Sequence, residues 1–244
     1  MQFDPPLLRG RLERRYKRFL ADVQLDAGSQ VTAHVPNTGS MRSCSEPGSP
    51  VWVRHDPSPK RKLAYTLELV ETPAGLVAVH TGRTNDLVHE ALAAGRIPEL
   101  SGYEHVRRES RWGTSRFDFR LERAEAACLV EVKSVTHVEG DAALFPDAVT
   151  KRGLKHLREL GAVVREGGRG VLLFVVQRPD GRFVAAAERI DPDYAHGLRE
   201  AAAAGVELLA YRAQATPERL AWAEAMAVRV DHASAGGEAS ARGG

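Results

Sequence analysis

Between Phe19 and Thr81 apolar and polar positions alternate in short runs, the period-two signature of strands with one buried face. Five runs stand out: "FLADVQL" at 19–25, "QVTAHV" at 30–35, "VWVRH" at 51–55, "YTLELVE" at 65–71 and "LVAVHT" at 76–81. The breaks between them, "DAGS", "PNTGSMRSCSEPGSP", "DPSPKRK" and "TPAG", supply the Gly, Pro and Asx residues that turns require. Five short strands at this spacing predict a small closed barrel of the OB type over residues 1–82.

After Gly82 the period changes. The stretch "TNDLVHEALAAGRI" puts Leu87, Val88, Ala91 and Leu92 on one side, with Thr84 or Asn85 available as a cap, and predicts a helix. Strands follow near 115–121 and 127–135, then a helix from about 147 to 160 and the apolar run "GVLLFVVQ" at 170–177. A weaker strand near 182–187, the helix "DYAHGLREAAAAG", the strand "VELLAY" and a final helix "TPERLAWAEAMAV" complete the pattern. Strands alternating with helices of this length imply right-handed crossovers and a mixed, partly parallel sheet covered on both faces. The region 83–230 is therefore expected to be a separate α/β domain, and the small, polar, Gly-rich tail from residue 231 to be disordered.

Composition narrows the classes. With 244 residues and 43% hydrophobic content the chain can bury a core in each of two domains. Lys and Arg number 34 against 32 Asp and Glu, so attraction to a polyanion has to come from local clustering. Cys44 and Cys128 lie far apart and the nine histidines show no paired spacing, which argues against structural zinc. No apolar stretch approaches the roughly 20 residues of a membrane helix, and a soluble, cytoplasmic protein with no membrane partner is expected. Oligomeric state leaves no mark on the sequence.

One run breaks the apolar pattern. In "CLVEVKS" Glu131 and Lys133 share a face with Leu129, toward the carboxyl end of a strand whose two faces both begin apolar. On the residues alone two readings stay open: an ion pair on an edge strand, or the mouth of a cleft, since α/β sheets hold ligands at the carboxyl ends of their strands. The preceding strand carries Asp118 between Phe117 and Phe119, with Arg116 and Arg120 on the carboxylate's face. Asp118 and Glu131 on neighbouring strands could share one hard cation, Mg²⁺ or Mn²⁺, with the Lys133 ammonium beside it. That set suits phosphodiester cleavage, where the cation activates water and the lysine holds or polarises it.

The arrangement D…ExK is the signature of PD-(D/E)XK nucleases, a short motif that depends on its strand–strand–helix context. The helix after it, "FPDAVTKRGLKHLREL", sets Val149, Gly153, Leu157 and Leu160 on one side and a basic stripe of Lys151, Lys155 and Arg158 on another. The stripe is either a solvated face or a phosphate contact. In nucleases of this fold the first helix sometimes adds a metal ligand, for which Glu90 is the candidate here, the alternative being a plain exposed acid.

The segments "RRYKRFLADV", "VPNTGSM", "KRKLAYTLELV", "TNDLVHEAL", "SRFDF", "CLVEVKSVT", "FPDAVTKRGLKHLREL" and "IDPDYAHGLREAAAAGVELLAY", in this order, resemble the sugar fermentation stimulation protein A (SfsA) family over nearly the full length. The resemblance implies an OB-like domain followed by a restriction-endonuclease-like domain, sequence-nonspecific DNA binding, and an association with the regulation of sugar, particularly maltose, metabolism. It places the catalytic pattern on Asp118, Glu131 and Lys133. Phe117 stands where isoleucine is usual and should pack rather than react.

DNA contacts are expected first on the barrel. OB-folds hold strands with a basic groove and stacked aromatics. Here Arg14, Arg15, Lys17 and Arg18 interleave with Tyr16 and Phe19, Lys60, Arg61 and Lys62 sit in a Pro-flanked loop, and residues 1–83 carry 12 Lys or Arg against 8 acids. Trp52 can stack on a base or fill the barrel. The loop "VPNTGSM" can be a tight turn or a phosphate cradle involving Asn37 and Thr38. Three readings remain open: a Mg²⁺-dependent DNA phosphodiesterase, a non-enzymatic DNA-binding regulator that retains the nuclease fold, and a structural charge pair in a protein whose function is unrelated to DNA.

Overall fold

The protein is described from a computed structural model over residues 1–124 and 126–231. The tail expected to be disordered lies, from residue 232, outside them.

Six strands build the N-terminal domain: β1 (Leu8–Tyr16), β2 (Leu20–Leu25), β3 (Gln30–His34), β4 (Pro50–His55), β5 (Tyr65–Thr72) and β6 (Gly75–Ala78). They follow the order β3-β2-β1-β4-β5-β6, and a parallel pairing of β3 with β5 through Ala33–Tyr65 and His34–Thr66 closes a five-stranded barrel. Leu12, Val23, Val51, Val53 and Leu67 fill its interior. The sequence pattern missed β1, because arginines alternate with its inward residues. One of those is Gly10, where a β-carbon would run into the Gln24 carbonyl. The run expected as the fifth barrel strand is instead β6, a hairpin partner of β5 outside the ring.

The second domain contains α1 (Thr81–Ala93), β7 (His105–Trp112), β8 (Ser115–Arg123), β9 (Ala126–Val135), β10 (His137–Glu139), β11 (Ala142–Phe145) and α2 (Lys151–Arg165). It continues with β12 (Arg169–Val176), β13 (Phe183–Ala186), α3 (Pro192–Ala203), β14 (Glu207–Ala215), β15 (Leu220–Ala225) and β16 (Ala227–Arg229). The main sheet runs β15-β14-β12-β9-β8-β7, with β9, β12 and β14 parallel and the flanking strands antiparallel. A smaller sheet, β10-β11-β13-β16, lies beside it. No helix among the described residues is long and apolar enough to cross a membrane.

Two layers cover the main sheet. On one face Leu157 and Leu160 of α2 and Tyr194 and Leu198 of α3 pack against Leu129, Leu172 and Phe174. On the other, α1 joins the outer wall of the barrel: Trp52, Leu69 and Ala78 pack with Leu87, Val88, Val130, Val132 and Leu173. Trp52 therefore neither stacks on a ligand nor fills the barrel. It fastens the barrel to the sheet.

The final helix expected from "TPERLAWAEAMAV" does not form. Those residues make β15, paired antiparallel with β14 through Ala213–Trp222 and Ala215–Leu220, and β16. Leu220 and Trp222, two apart, both pack into the core, so the governing period is two. Alanine's helix preference is overridden by the open hydrogen-bonding edge of β14.

Candidate functional site

The ladder between β8 and β9 runs from Arg123–Ala126 to Phe119–Val130 and stops there. Asp118 is the next residue, and its Oδ2 accepts the Val132 backbone N–H at 2.7 Å, a side chain standing in for the lost rung. The strand also turns over at this point. Phe119 packs on the α1 side, stacked with His89 at 6.3 Å, whereas Phe117 packs on the α2 side, 5.7 Å from His156. Phe117 thus packs, as expected. Across the hairpin Glu109 adopts a φ of +55°, a strained conformation for a residue with a side chain. The far half of the β7–β8 hairpin leans over α2, and a gap opens where it leaves β9.

That gap is a cleft of about 520 Å³ lined by Asp118, Glu131 and Lys133, by the barrel loop Asn37–Gly39, by the start of α1 and by the segment leading into α2. The charged strand thus emerges into a cleft, and the three motif residues meet there. Glu131 is almost fully buried. Its Oε1 accepts from Lys133 Nζ at 2.5 Å and from His156 Nδ1, while Oε2 is buried without a hydrogen-bond partner. Burial raises its pKa, but the hydrogen bond from His156 and the charge of Lys133 outweigh that and hold the carboxyl below its usual range. Asp118 moves the other way: burial first, then the nearby Glu131 carboxylate, push its pKa up against the bonds from Val132 and from Asn85 Nδ2 at 2.7 Å. Two carboxylates share one partly dehydrated cleft, and the Glu131 carboxylate adds to burial in disfavouring ionisation of Asp118.

The supporting residues come from four places. Asn85 reaches Asp118 from the first turns of α1. That helix is moored to the barrel by Glu68 of β5, which is buried and paired with Arg83 at 3.2 Å and Arg54 at 3.1 Å. His156 projects from α2, whose N-terminus is fixed by the Thr150 cap on Gly153 N–H. Asp191 ties this turn to α3 by accepting from Thr150 N at 2.7 Å and Tyr194 N at 3.0 Å. From the barrel, Met41 N–H donates to Asp147 Oδ2 at 3.0 Å, closing the cleft from above.

Glu90 has to be corrected. It lies outside the cleft and pairs with the amino terminus at 3.0 Å. Five residues along a helix amount to a rotation of about 140° from Asn85, so both cannot face Asp118; the helix contributes an amide there instead of an acid. Among the described residues no cluster of three or more metal-ligating side chains of the His, Cys, Asp or Glu type is present.

The expected DNA contacts divide. Lys17, Arg18, Lys60, Lys62, Lys151 and Lys155 are exposed, and of these Arg18 lines the cleft, next to the half-exposed ring of Phe19. Arg14 is largely exposed but held by Asp22 at 2.8 Å. Arg61 is bound to Asp56 at 2.9 Å and to Thr66 at 2.5 Å. Arg15 is a correction: its guanidinium donates to the carbonyls of Ser40, Arg18, Asn37 and Gly39, so it shapes the "VPNTGSM" loop from within. Asn37 is buried and its Oδ1 accepts Gly39 N–H, the tight-turn reading of that loop. Val149, expected on the apolar face of α2, precedes the helix and stands exposed at the rim with Arg152 beyond it.

Asn85, expected as a helix cap, lies instead inside α1, which begins at Thr81, and the places of His156, Asp147 and Arg152 in the cleft were not foreseen from the sequence. Only His156 left a trace there: it follows Gly153 by three and precedes Leu160 by four, a polar residue on a buried stripe.

Known proteins share this two-domain organisation. The model of the SfsA N-terminal OB domain matches residues 14–79, and that of the sugar fermentation stimulation protein RE domain matches residues 82–219. A sugar fermentation stimulation protein homolog of Geobacter sulfurreducens is 56% identical over 224 residues, 91% of this chain and 96% of that protein. One from Geotalea uraniireducens is 53% identical over 231 residues, 94% of this chain and the whole of that protein. The structure of Pyrococcus furiosus SfsA in complex with Ca²⁺ superposes with a TM-score of 0.85 at 27% identity, covering 94% of this chain and 98% of that one. With both of its domains matched and relatives aligned from end to end, the chain belongs to the sugar fermentation stimulation protein family.

Proposed function

We propose that the cleft is the active site of a divalent-cation-dependent phosphodiesterase acting on DNA without sequence preference. The observation that carries this reading is the meeting of Asp118, Glu131 and Lys133 where β8 leaves β9, with Glu131 Oε2 buried and lacking a partner. The donor set suits a hard cation, which takes carboxylate oxygens and keeps several waters. Ca²⁺ in the Pyrococcus furiosus relative is an ion of that class.

Mg²⁺ or Mn²⁺ held by Asp118 and Glu131 would supply positive charge to the phosphate and acidify a water. The chain does the rest. Asn85 and Val132 N–H fix the Asp118 carboxylate, His156 fixes that of Glu131, and the Lys133 ammonium directs the attacking water. Water adds to phosphorus as its proton leaves to solvent, the bond from phosphorus to the leaving sugar oxygen breaks, and that oxygen takes up a proton from solvent, giving a phosphomonoester and a hydroxyl end. Arg18 and Arg152 at the rim and the exposed lysines of α2 are placed to hold the strand.

Labelled single- and double-stranded DNA incubated with the protein and Mg²⁺ or Mn²⁺ tests the reading. Cleavage should vanish in Glu131→Ala and in Lys133→Ala; activity that survives both changes refutes it. A second reading, a DNA-binding regulator of sugar metabolism with a silent site, draws on one observation: the Lys133–Glu131 pair satisfies both charges internally. It requires salt-sensitive DNA binding that is indifferent to metal, and no cleavage.

A further inference from the structure

Past the point where β8 leaves β9, the β7–β8 hairpin ends in a turn at Gly113 and Thr114. Arg111 and Arg116 stand directly opposite each other in its register. Like charges so placed destabilise a ladder. Arg111 has no ion-pair partner among the described residues. Arg116 has Glu109 at 2.9 Å, both side chains being more than half exposed, a pair worth only about 0–1 kcal/mol. Lys155 of α2 also reaches this turn, its Nζ 3.5 Å from the Thr114 carbonyl, accompanied by Glu159, which pairs with it at 3.8 Å and accepts from Thr114 Oγ1 at 3.1 Å. Arg111, Arg116 and the intervening turn line an open recess of about 410 Å³.

Charge on an edge strand such as β7 discourages edge-to-edge pairing. That purpose does not call for two arginines set directly opposite each other. The recess is also well placed. Arg116 precedes Asp118 by two residues, about 7 Å of extended chain, close to the spacing of neighbouring phosphates along one DNA strand.

We propose that this recess is a phosphate-binding subsite that grips the DNA backbone at a phosphate close to the one at the carboxylates. The inference rests on the proposed reading of DNA as the ligand of the cleft, but not on cleavage. Binding of a short fluorescent DNA duplex to the full chain, measured by anisotropy in Ca²⁺ over a series of salt concentrations, tests it. The double variant Arg111→Ala/Arg116→Ala should bind more weakly, and the slope of log affinity against log salt should fall by about 2, roughly 0.9 per lost contact. Arg111→Lys/Arg116→Lys, which keeps the charge and the hairpin, should retain the wild-type slope. An unchanged slope in the Ala variant, or the same fall in the Lys variant, overturns the subsite. So does a wild-type chain that binds no DNA at low salt, or only an RNA duplex. Absence of cleavage together with the expected slopes refutes the nuclease reading and leaves the subsite standing.

Discussion

Gly39 of the barrel loop lies so close against the Asp147 carboxylate that a β-carbon there would have to push the carboxylate aside. The glycine is there for this approach. Gly39→Ala should destabilise the protein by about 1–3 kcal/mol through overpacking, measured by urea unfolding. Adding Asp147→Ala should recover part of the loss, and strictly additive effects would show that the two residues do not meet.

His156 holds the buried Glu131 carboxylate from α2. Removing the donor of a hydrogen bond to a buried carboxylate leaves part of it unsatisfied, so His156→Ala should cost about 1.5–3 kcal/mol. Combining it with Glu131→Gln removes the charge and should restore most of the stability. A His156→Ala protein as stable as the parent would show the contact to be idle.

Metal should act as a stabilising ligand. A cation that binds only the folded chain at a hundred times its Kd adds about 2.7 kcal/mol, readable as a rise in the urea midpoint with Mg²⁺ or Ca²⁺ and its reversal by chelator. Glu131→Ala should abolish the rise, whereas Glu90→Ala, outside the cleft, should keep it.

Both thiols are buried, and burial pushes Cys44 up to about 12 and Cys128 up to about 11. Neither should react with a disulfide reagent near neutral pH until the chain unfolds. The unfolded thiols lose their protons above about 8.5 while the native ones keep them. Stability is therefore whole below that pH and declines as pH rises toward 11 and 12. Replacing both cysteines by Ala should flatten the alkaline decline.

Much of this arrangement was legible in the sequence, and the exceptions share a cause. Period two revealed β2 through β5, and the charges in "CLVEVKS" marked where a buried strand opens, because both are local patterns. Hidden were β1, whose inward side is partly a glycine, and β15, whose alternation is masked by alanines. Glu90 was misplaced because sequence shows that a helix carries an acid, and only the phase set by packing shows which way it faces. Arg15 read as a phosphate contact because carbonyls gathered by a fold leave no signature in composition. The Gly39–Asp147 approach joins residues too far apart in the chain for any pattern to link.

Trp52 and Leu69 turn outward from the barrel into the same core as Val130 and Leu173 of the sheet. Neither half owns that core, so neither is a portable module: cut apart at the start of α1, each would present a broad apolar face to water. The chain should melt in a single step, with the indole of Trp52 reporting the loss of both halves at once. A cleft roofed by one half and floored by the other then exists only while the whole molecule is folded.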